Sequence, residues 1–298
     1  MSEFVSEEPA FQFVEAAGTI AREAGALLKG YWHQGVTAEY KGDVDIVTVA
    51  DKASEKLIVQ RLAEVFPDHG VYGEEGTRDG LEREYRWYVD PLDGTTNFAH
   101  GFPVFCVLMG LEHRAPGLQP DEDGVMVAGV CYDPLRDEMF WAEKGKGAWL
   151  NGRRIHVSRT ARLQEALSAT GFPSQKRHES PNIHFYQQIT LRSHGVRRAG
   201  AAGIDLAYVA CGRLDAFWEF KLNPWDTAPG YLLIEEAGGR ITHFDGSKFT
   251  LDSVEVFASN GLIHDEIQHV FTELFAGREL ERIPTPAEFA ARRAERAK

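Results

Sequence analysis

The run Trp87-Tyr88-Val89-Asp90-Pro91-Leu92-Asp93-Gly94-Thr95-Thr96-Asn97-Phe98 constrains this chain more than any other stretch. Trp87 to Val89 predicts the end of a strand, and Pro91 is expected to stop it by removing a backbone donor. Asp90 and Asp93 then converge on one point beyond the strand. Gly94 lets the backbone approach closely. Thr95-Thr96-Asn97 suit the start of a helix, whose free N–H groups favour an anion. Two carboxylates facing such a turn are the parts of a divalent-metal site set against a phosphate. An Asx-rich turn capping a helix uses the same residues, so the rest of the chain has to choose between them.

Two more acidic segments do so. Gly73-Glu74-Glu75-Gly76 lies upstream, after Phe66-Pro67 and Val71-Tyr72. Downstream, Pro224-Trp225-Asp226-Thr227-Ala228-Pro229-Gly230 opens an apolar helix that runs to Glu235-Glu236-Ala237-Gly238-Gly239. In this order and spacing the three segments resemble the inositol monophosphatase family of magnesium-dependent, lithium-sensitive sugar phosphatases, from about Phe11 to about Phe275. The resemblance implies an α+β fold, the layered α-β-α-β-α sandwich of the inositol monophosphatase/fructose bisphosphatase type. It also implies a homodimer.

It further implies roles for matching positions. Glu74, Asp90 and the main-chain carbonyl of Leu92 hold a first Mg2+. Asp90 bridges to a second, held by Asp93 and Asp226, and Glu74 helps a third, weak ion through water. Two cations roughly 3.5–4 Å apart suit a phosphate monoester, one activating water and the other stabilising the leaving oxygen. Amides of Gly94 and Thr95 bind the phosphate, and the Thr95 hydroxyl with Asp51 orients and deprotonates the attacking water. Gly200, Ala201 and Ala202 lie beside the substrate ring, with Asp226 close to the substrate as well. Glu219 accepts from a substrate hydroxyl. The loop Lys41-Gly42-Asp43-Val44-Asp45 matches one that lies over the site in the family.

Some positions depart from the family. Ala201 stands where relatives often have Ser or Thr, Gly203 where alanine is common, and Pro229 where alanine is usual, the last expected in the first helical turn, where no intrahelical bond is lost. Asp93-Gly94-Thr95-Thr96-Asn97-Phe98 with His100-Gly101-Phe102-Pro103 resembles the inositol phosphatase branch, so inositol monophosphate is the expected substrate. Fructose 1,6-bisphosphate, histidinol phosphate and 3′-phosphoadenosine 5′-phosphate remain open, as does a regulatory binding protein with incidental phosphatase activity.

Charge and cysteine usage fit a phosphatase. Lys+Arg 32 against Asp+Glu 45 gives a net charge of −13 over 298 residues, which argues against nucleic acid as the main ligand. An acidic protein recruits phosphate through cations. Cys106, Cys131 and Cys211 are scattered, which predicts reduced thiols in a cytoplasmic protein. The start carries no signal-peptide order, and the longest apolar run, Val104 to Leu111, is too short for a bilayer.

Periodicity predicts a helix over Phe11 to Trp32, a strand at Ile46 to Ala50, and a second helix capped by Asp51. Strands are expected at Phe105 to Leu111, Val125 to Tyr132 and Glu138 to Ala142. Asn151-Gly152 predicts a hairpin. Later come helices near Asn182 to Arg192, Ile204 to Cys211 and His264 to Phe275, the helix that Asp226 opens, and strands at Asp215 to Glu219, Arg240 to Phe244 and Glu255 to Ala258. The expected division is an N-terminal metal-binding half over residues 1–157, a half completing the site over 158–276, and a tail over 277–298, a surface helix or frayed end.

Overall fold

The structure is a computed structural model that describes residues 12–35, 39–40, 46–118, 124–172, 180–278 and 280–296. The Lys41–Asp45 loop lies outside the described residues. Along the chain come α1 (Gln12–Gln34), the short pair β1 (Glu39–Tyr40) and β2 (Ile46–Val47), then α2 (Val49–Val65). β3 (Gly70–Gly73), β4 (Arg78–Asp79), β5 (Tyr85–Asp93), α3 (Thr95–Ala99), β6 (Cys106–His113), β7 (Val125–Asp133), β8 (Glu138–Glu143), β9 (Ala148–Leu150) and β10 (Arg153–Ile155) follow. The remainder is β11 (Leu167–Thr170), α4 (Asn182–Arg192), β12 (Gly195–Arg197), α5 (Ala202–Ala210), β13 (Ala216–Phe220), α6 (Pro224–Glu236), β14 (Arg240–Thr242), β15 (Glu255–Ser259), α7 (His264–Phe275) and α8 (Pro286–Arg296).

These build the α+β layered sandwich. An eight-stranded sheet has the order β10-β9-β8-β7-β6-β5-β3-β4, antiparallel except where β3 runs parallel to β5. A five-stranded sheet has the order β12-β11-β13-β15-β14. Helices α1 and α2 pack together on one face of the larger sheet, while α5 and α6 lie between the two sheets. Beyond the smaller sheet, α4 and α7 form the last layer.

Alternation along the strands explains why their sequences are apolar throughout. In β6, Val107, Met109 and Leu111 point into the seam with α1 and α2, whereas Cys106 and Leu108 point towards α5 and α6. In β13, Phe217 faces the middle layer while Trp218 and Phe220 face α4 and α7. Strands covered on both faces lose the polar half of the period-two pattern. At the expected hairpin, Asn151 (φ 48°) and Gly152 (φ 76°) are both left-handed, the geometry that Asn-Gly supplies most readily.

Three expectations are corrected. Pro91 does not end its strand: β5 continues to Asp93, and the proline sits in an irregularity where three residues of β5 span two of β6, Asp90 opposing Leu108 and Asp93 opposing Cys106. A bulge tolerates the missing donor. Asp51 is not the first cap of α2. Thr48 is, and Asp51 is the third helical residue, its carboxylate accepting from the Thr48 backbone N–H. Pro229 is the sixth residue of α6 rather than one of its first turn, so it has no N–H to offer the Trp225 carbonyl. The sulfurs of Cys106, Cys131 and Cys211 are free thiols. Among the described residues no helix is long and apolar enough to cross a membrane.

Candidate active site

The bulge is what aims the two aspartates. Side chains three apart on a regular strand point to opposite faces, but one extra residue restores the same side. Asp90 and Asp93 are buried at 2% and 9% exposure. Oδ1 of Asp90 accepts from the Leu92 N–H at 2.9 Å, which folds the bulge over it. Oδ2 of Asp93 accepts from the Gly203 N–H at 2.7 Å and from the Cys106 thiol at 3.4 Å. The first turn of α5 is thereby tied to the strand.

Asp226 is the third residue of α6 and accepts from the Asn223 N–H at 2.7 Å, closing a capping box. It serves as a cap and still contributes its charge to the cluster. Glu74 follows β3 in a tight turn, its N–H bonded to the Val89 carbonyl at 3.0 Å. Burial, then the charge of Asp226, pushes Glu74 up to about 8. Burial and Asp226 also push Asp93 up to about 7, against the pull of the Gly203 N–H. Asp226 itself rises to about 6 through burial, opposed by its bonds to Asn223. Asp90 is held well above the carboxylate range by burial and by Glu74, Asp93 and Asp226.

Four carboxylates gathered in this way, three of them raised in part by their neighbours' charges, make a site for added positive charge. Among the described residues no three His, Cys, Asp or Glu side chains close around a single point. Glu74 and Asp226 each stand within hydrogen-bond reach of Asp90, and magnesium, which keeps several waters, needs few protein ligands per ion. The donor set is all oxygen, which suits that metal.

Asp51 is fully buried and bonded on both oxygens. Oδ2 takes the Thr48 N–H at 2.8 Å and its hydroxyl at 2.6 Å, and Oδ1 takes the Thr95 hydroxyl at 2.9 Å. Burial raises its pKa while those bonds oppose the rise. The Thr95 oxygen also lies 3.1 Å from the Leu92 carbonyl. Gly94 adopts φ 92°, and a Cβ there would lie 2.9 Å from the Val104 carbonyl, so only glycine fits.

The Asn97 side-chain amide lies 2.8 Å from the Ala199 carbonyl and 3.2 Å from that of Gly200, fixing the turn that enters α5 beside α3. Ala201 is 1% exposed and Ala202 7%, so this turn offers the site mainly backbone. Glu219 lies 9% exposed, within electrostatic reach of Asp205, Asp226 and Asp93. Burial and those three charges hold it well above its usual value, with Arg198 opposing.

Asp90, Asp93, Gly94 and Thr95 thus stand at the end of β5, where Asp51 reaches Thr95, Ala202 and Gly203 reach Asp93 by backbone, and Glu74, Glu219 and Asp226 lie within electrostatic reach. Sequence reasoning missed Ser54, Glu55 and Asp205, and took Asn97 only as part of a helix start. Ser54 Oγ donates to the Pro91 carbonyl at 2.9 Å. Glu55 accepts from the backbone of the Glu74 turn. Asp205 is a second buried carboxylate beside Glu219, held well above its usual value by burial and by Asp93. Ser54 and Glu55 could have been found from their spacing, three and four residues after Asp51 on one helical face.

A profile of the Inositol monophosphatase family matches residues 11–276. The chain is 42% identical over 232 residues to a chloroplastic phosphatase of Arabidopsis thaliana, a match covering 76% of this chain and 61% of that protein. It thus spans about three fifths of the plant protein's length. It is 40% identical to the inositol-1-monophosphatase of Caulobacter vibrioides over 85% of this chain and 95% of that one. Among solved structures, inositol monophosphatase from Anabaena (Nostoc) sp. PCC 7120 superposes with a TM-score of 0.77 at 40% identity, covering 88% of this chain and 95% of that one.

Proposed function

This chain belongs to the inositol monophosphatase family, and from that premise we propose that it is a magnesium-dependent phosphomonoesterase that hydrolyses inositol monophosphate to myo-inositol and phosphate. The gathering of four carboxylates from three separate segments, all raised above their ordinary values, carries this reading. Glu74, Asp90 and the Leu92 carbonyl would hold one ion, with Asp90, Asp93 and Asp226 holding a second. Bound magnesium neutralises phosphate charge, lowers the pKa of water and stabilises the leaving oxygen.

The protein's own groups do the rest. Amides of Gly94 and Thr95 bind phosphate oxygens, and the left-handed Gly94 lets the backbone come near them. The Thr95 hydroxyl holds the attacking water in line, and Asp51, already bonded to that hydroxyl, takes the proton. Its elevated pKa brings it closer to the working pH of a general base. Glu219 and the Gly200–Ala202 backbone orient the polyol, and Asp226 lies near the departing hydroxyl. We assign the protein a homodimeric state on the same family grounds and a cytoplasmic location from its scattered cysteines.

Phosphate release from inositol 1-phosphate, fructose 1,6-bisphosphate, histidinol phosphate and 3′-phosphoadenosine 5′-phosphate, each with magnesium, tests this. Inositol 1-phosphate should give the highest kcat/KM. Asp90→Asn should lower turnover by about three orders of magnitude or more with the fold kept, a loss of about 4 kcal/mol in barrier terms. A higher kcat/KM for another member reassigns the substrate, and no release from any overturns the hydrolase reading. Lithium should inhibit more strongly as substrate rises, and relief of inhibition by substrate would refute lithium trapping of a phosphate-bound form.

A further inference from the structure

The inward face of α2 is polar where an amphipathic helix would be apolar. Its buried residues are Ala50, Asp51, Ser54, Glu55, Ile58 and Leu62, apolar in the later turns and acidic or hydroxylic in the earlier ones. Burying a carboxylate is costly unless it is bonded. Glu55, 5% exposed, meets that condition with backbone. Its Oε2 accepts the Glu75 N–H at 2.7 Å, and its Oε1 accepts the Thr77 N–H at 3.1 Å and the Thr77 hydroxyl at 2.7 Å.

The segment it holds is the turn that carries Glu74. The Gly73 N–H bonds to the Thr77 carbonyl at 2.9 Å, and the Glu74 N–H to Val89 at 3.0 Å. Glu55 therefore anchors the peptide immediately after Glu74, while β5 anchors the one before it. A Cβ on Gly73 would lie 2.4 Å from Glu55 Oε2, so that glycine is demanded by the carboxylate packed against it. The same helical face reaches the Asp90–Thr95 segment, Ser54 through the Pro91 carbonyl and Asp51 through Thr95.

We infer that Glu55 is a positioning residue for metal binding: through three hydrogen bonds it fixes the Gly73–Thr77 turn so that the Glu74 carboxylate is aimed at Asp90. This rests on the assignment of Glu74 as a ligand. Charge-assisted bonds to backbone N–H groups are short and directional. An amide in place of the carboxylate turns one acceptor into a donor facing N–H groups, and the turn must give way there.

The test is Mn2+ binding to the unmodified protein and to Glu55→Gln, Thr77→Val and Glu74→Gln, by electron paramagnetic resonance without substrate. Activity against magnesium concentration is measured in parallel, with circular dichroism to confirm folding. Loss of an outer partner of a metal ligand typically costs about 10–100-fold in affinity. Glu55→Gln should therefore weaken Mn2+ about tenfold and raise the magnesium needed for half-maximal rate, with kcat at saturating magnesium within about twofold. Thr77→Val, which removes the hydroxyl bond and leaves both N–H bonds, should fall between Glu55→Gln and the unmodified protein. Unchanged Mn2+ affinity in folded Glu55→Gln alongside a large loss in Glu74→Gln overturns the inference and leaves the Glu74 assignment standing. Unchanged affinity in Glu74→Gln overturns both.

Discussion

A single inserted residue in β5 decides whether Asp90 and Asp93 face the same ion or opposite layers. That insertion is not visible in composition, and Pro91 suggested the end of the strand, although a proline inside a buried strand is accommodated by a bulge. Asp90 and Asp93 drew notice because Glu74 and Asp226 accompany them in a family-like order and spacing. Asp205 was not legible, since a lone acid in a helical sequence suits a solvated face until the packing is known. Glu219 was legible only by resemblance, and its setting gives a residue-scale prediction. Its carboxylate sits beside Asp205 and is 9% exposed, so a hydroxyl bonded there meets little competing water. Hydrogen bonds to charged groups contribute about 1.5–3 kcal/mol. Glu219→Gln should raise KM for inositol 1-phosphate by about tenfold or more while leaving an aryl phosphate unaffected. Equal losses on both substrates would place Glu219 among the metal ligands or in the core.

At the scale of elements, the long helices and β6, β7 and β8 of the larger sheet followed from periodicity. The ends of α4 and α7 fall where the sequence put them. β3, β4, β11 and β12 did not emerge, because two to four residues are too few to show alternation and pairing partners alone make them strands. α6 shows another limit, since its start set the numbering that misplaced Pro229. Its contact with the larger sheet is close. A Cβ on Gly129 would lie 2.9 Å from Pro229 Cα, and one on Gly110 would lie 2.8 Å from the Ala228 Cβ. The helix is thus held against two glycines while one of its turns lacks a hydrogen bond. Restoring an N–H there is favourable by up to about 3 kcal/mol. Proline's restriction of the unfolded chain offsets about 0.4–1 kcal/mol of that. Pro229→Ala should accordingly raise the melting temperature by several degrees, at about 2–4 °C per kcal/mol. A lowered melting temperature would show that the ring's packing on Gly129 outweighs the missing bond.

The whole molecule is three apolar cores separated by layers, with the acidic cluster between the two sheets and a net charge of −13. Without cations the cluster's groups hold protons more tightly folded than unfolded, from ordinary values of 3.8 and 4.5 up to about 6, 7 and 8 for Asp226, Asp93 and Glu74. The folded state then binds more protons than the unfolded one across pH 4 to 8. Their contribution to stability is fully present below about pH 4 and is lost as pH rises through that window. Magnesium opposes that slope, because it takes the deprotonated form. In EDTA the melting temperature should fall from pH 5 to pH 8. With magnesium it should fall less or rise, so that the gap between the two widens with pH. General repulsion among surface acids would also lower stability as pH rises, but salt screens that term within about 10 Å at 0.1 M and affects buried charges much less. Scanning calorimetry at 0.5 M KCl therefore isolates the cluster. Asp90→Asn, which removes a charge from its centre, should flatten the EDTA slope at that salt and shrink the magnesium gap at pH 8. Parallel curves with and without magnesium across this range would show that the carboxylates do not act as one cation site.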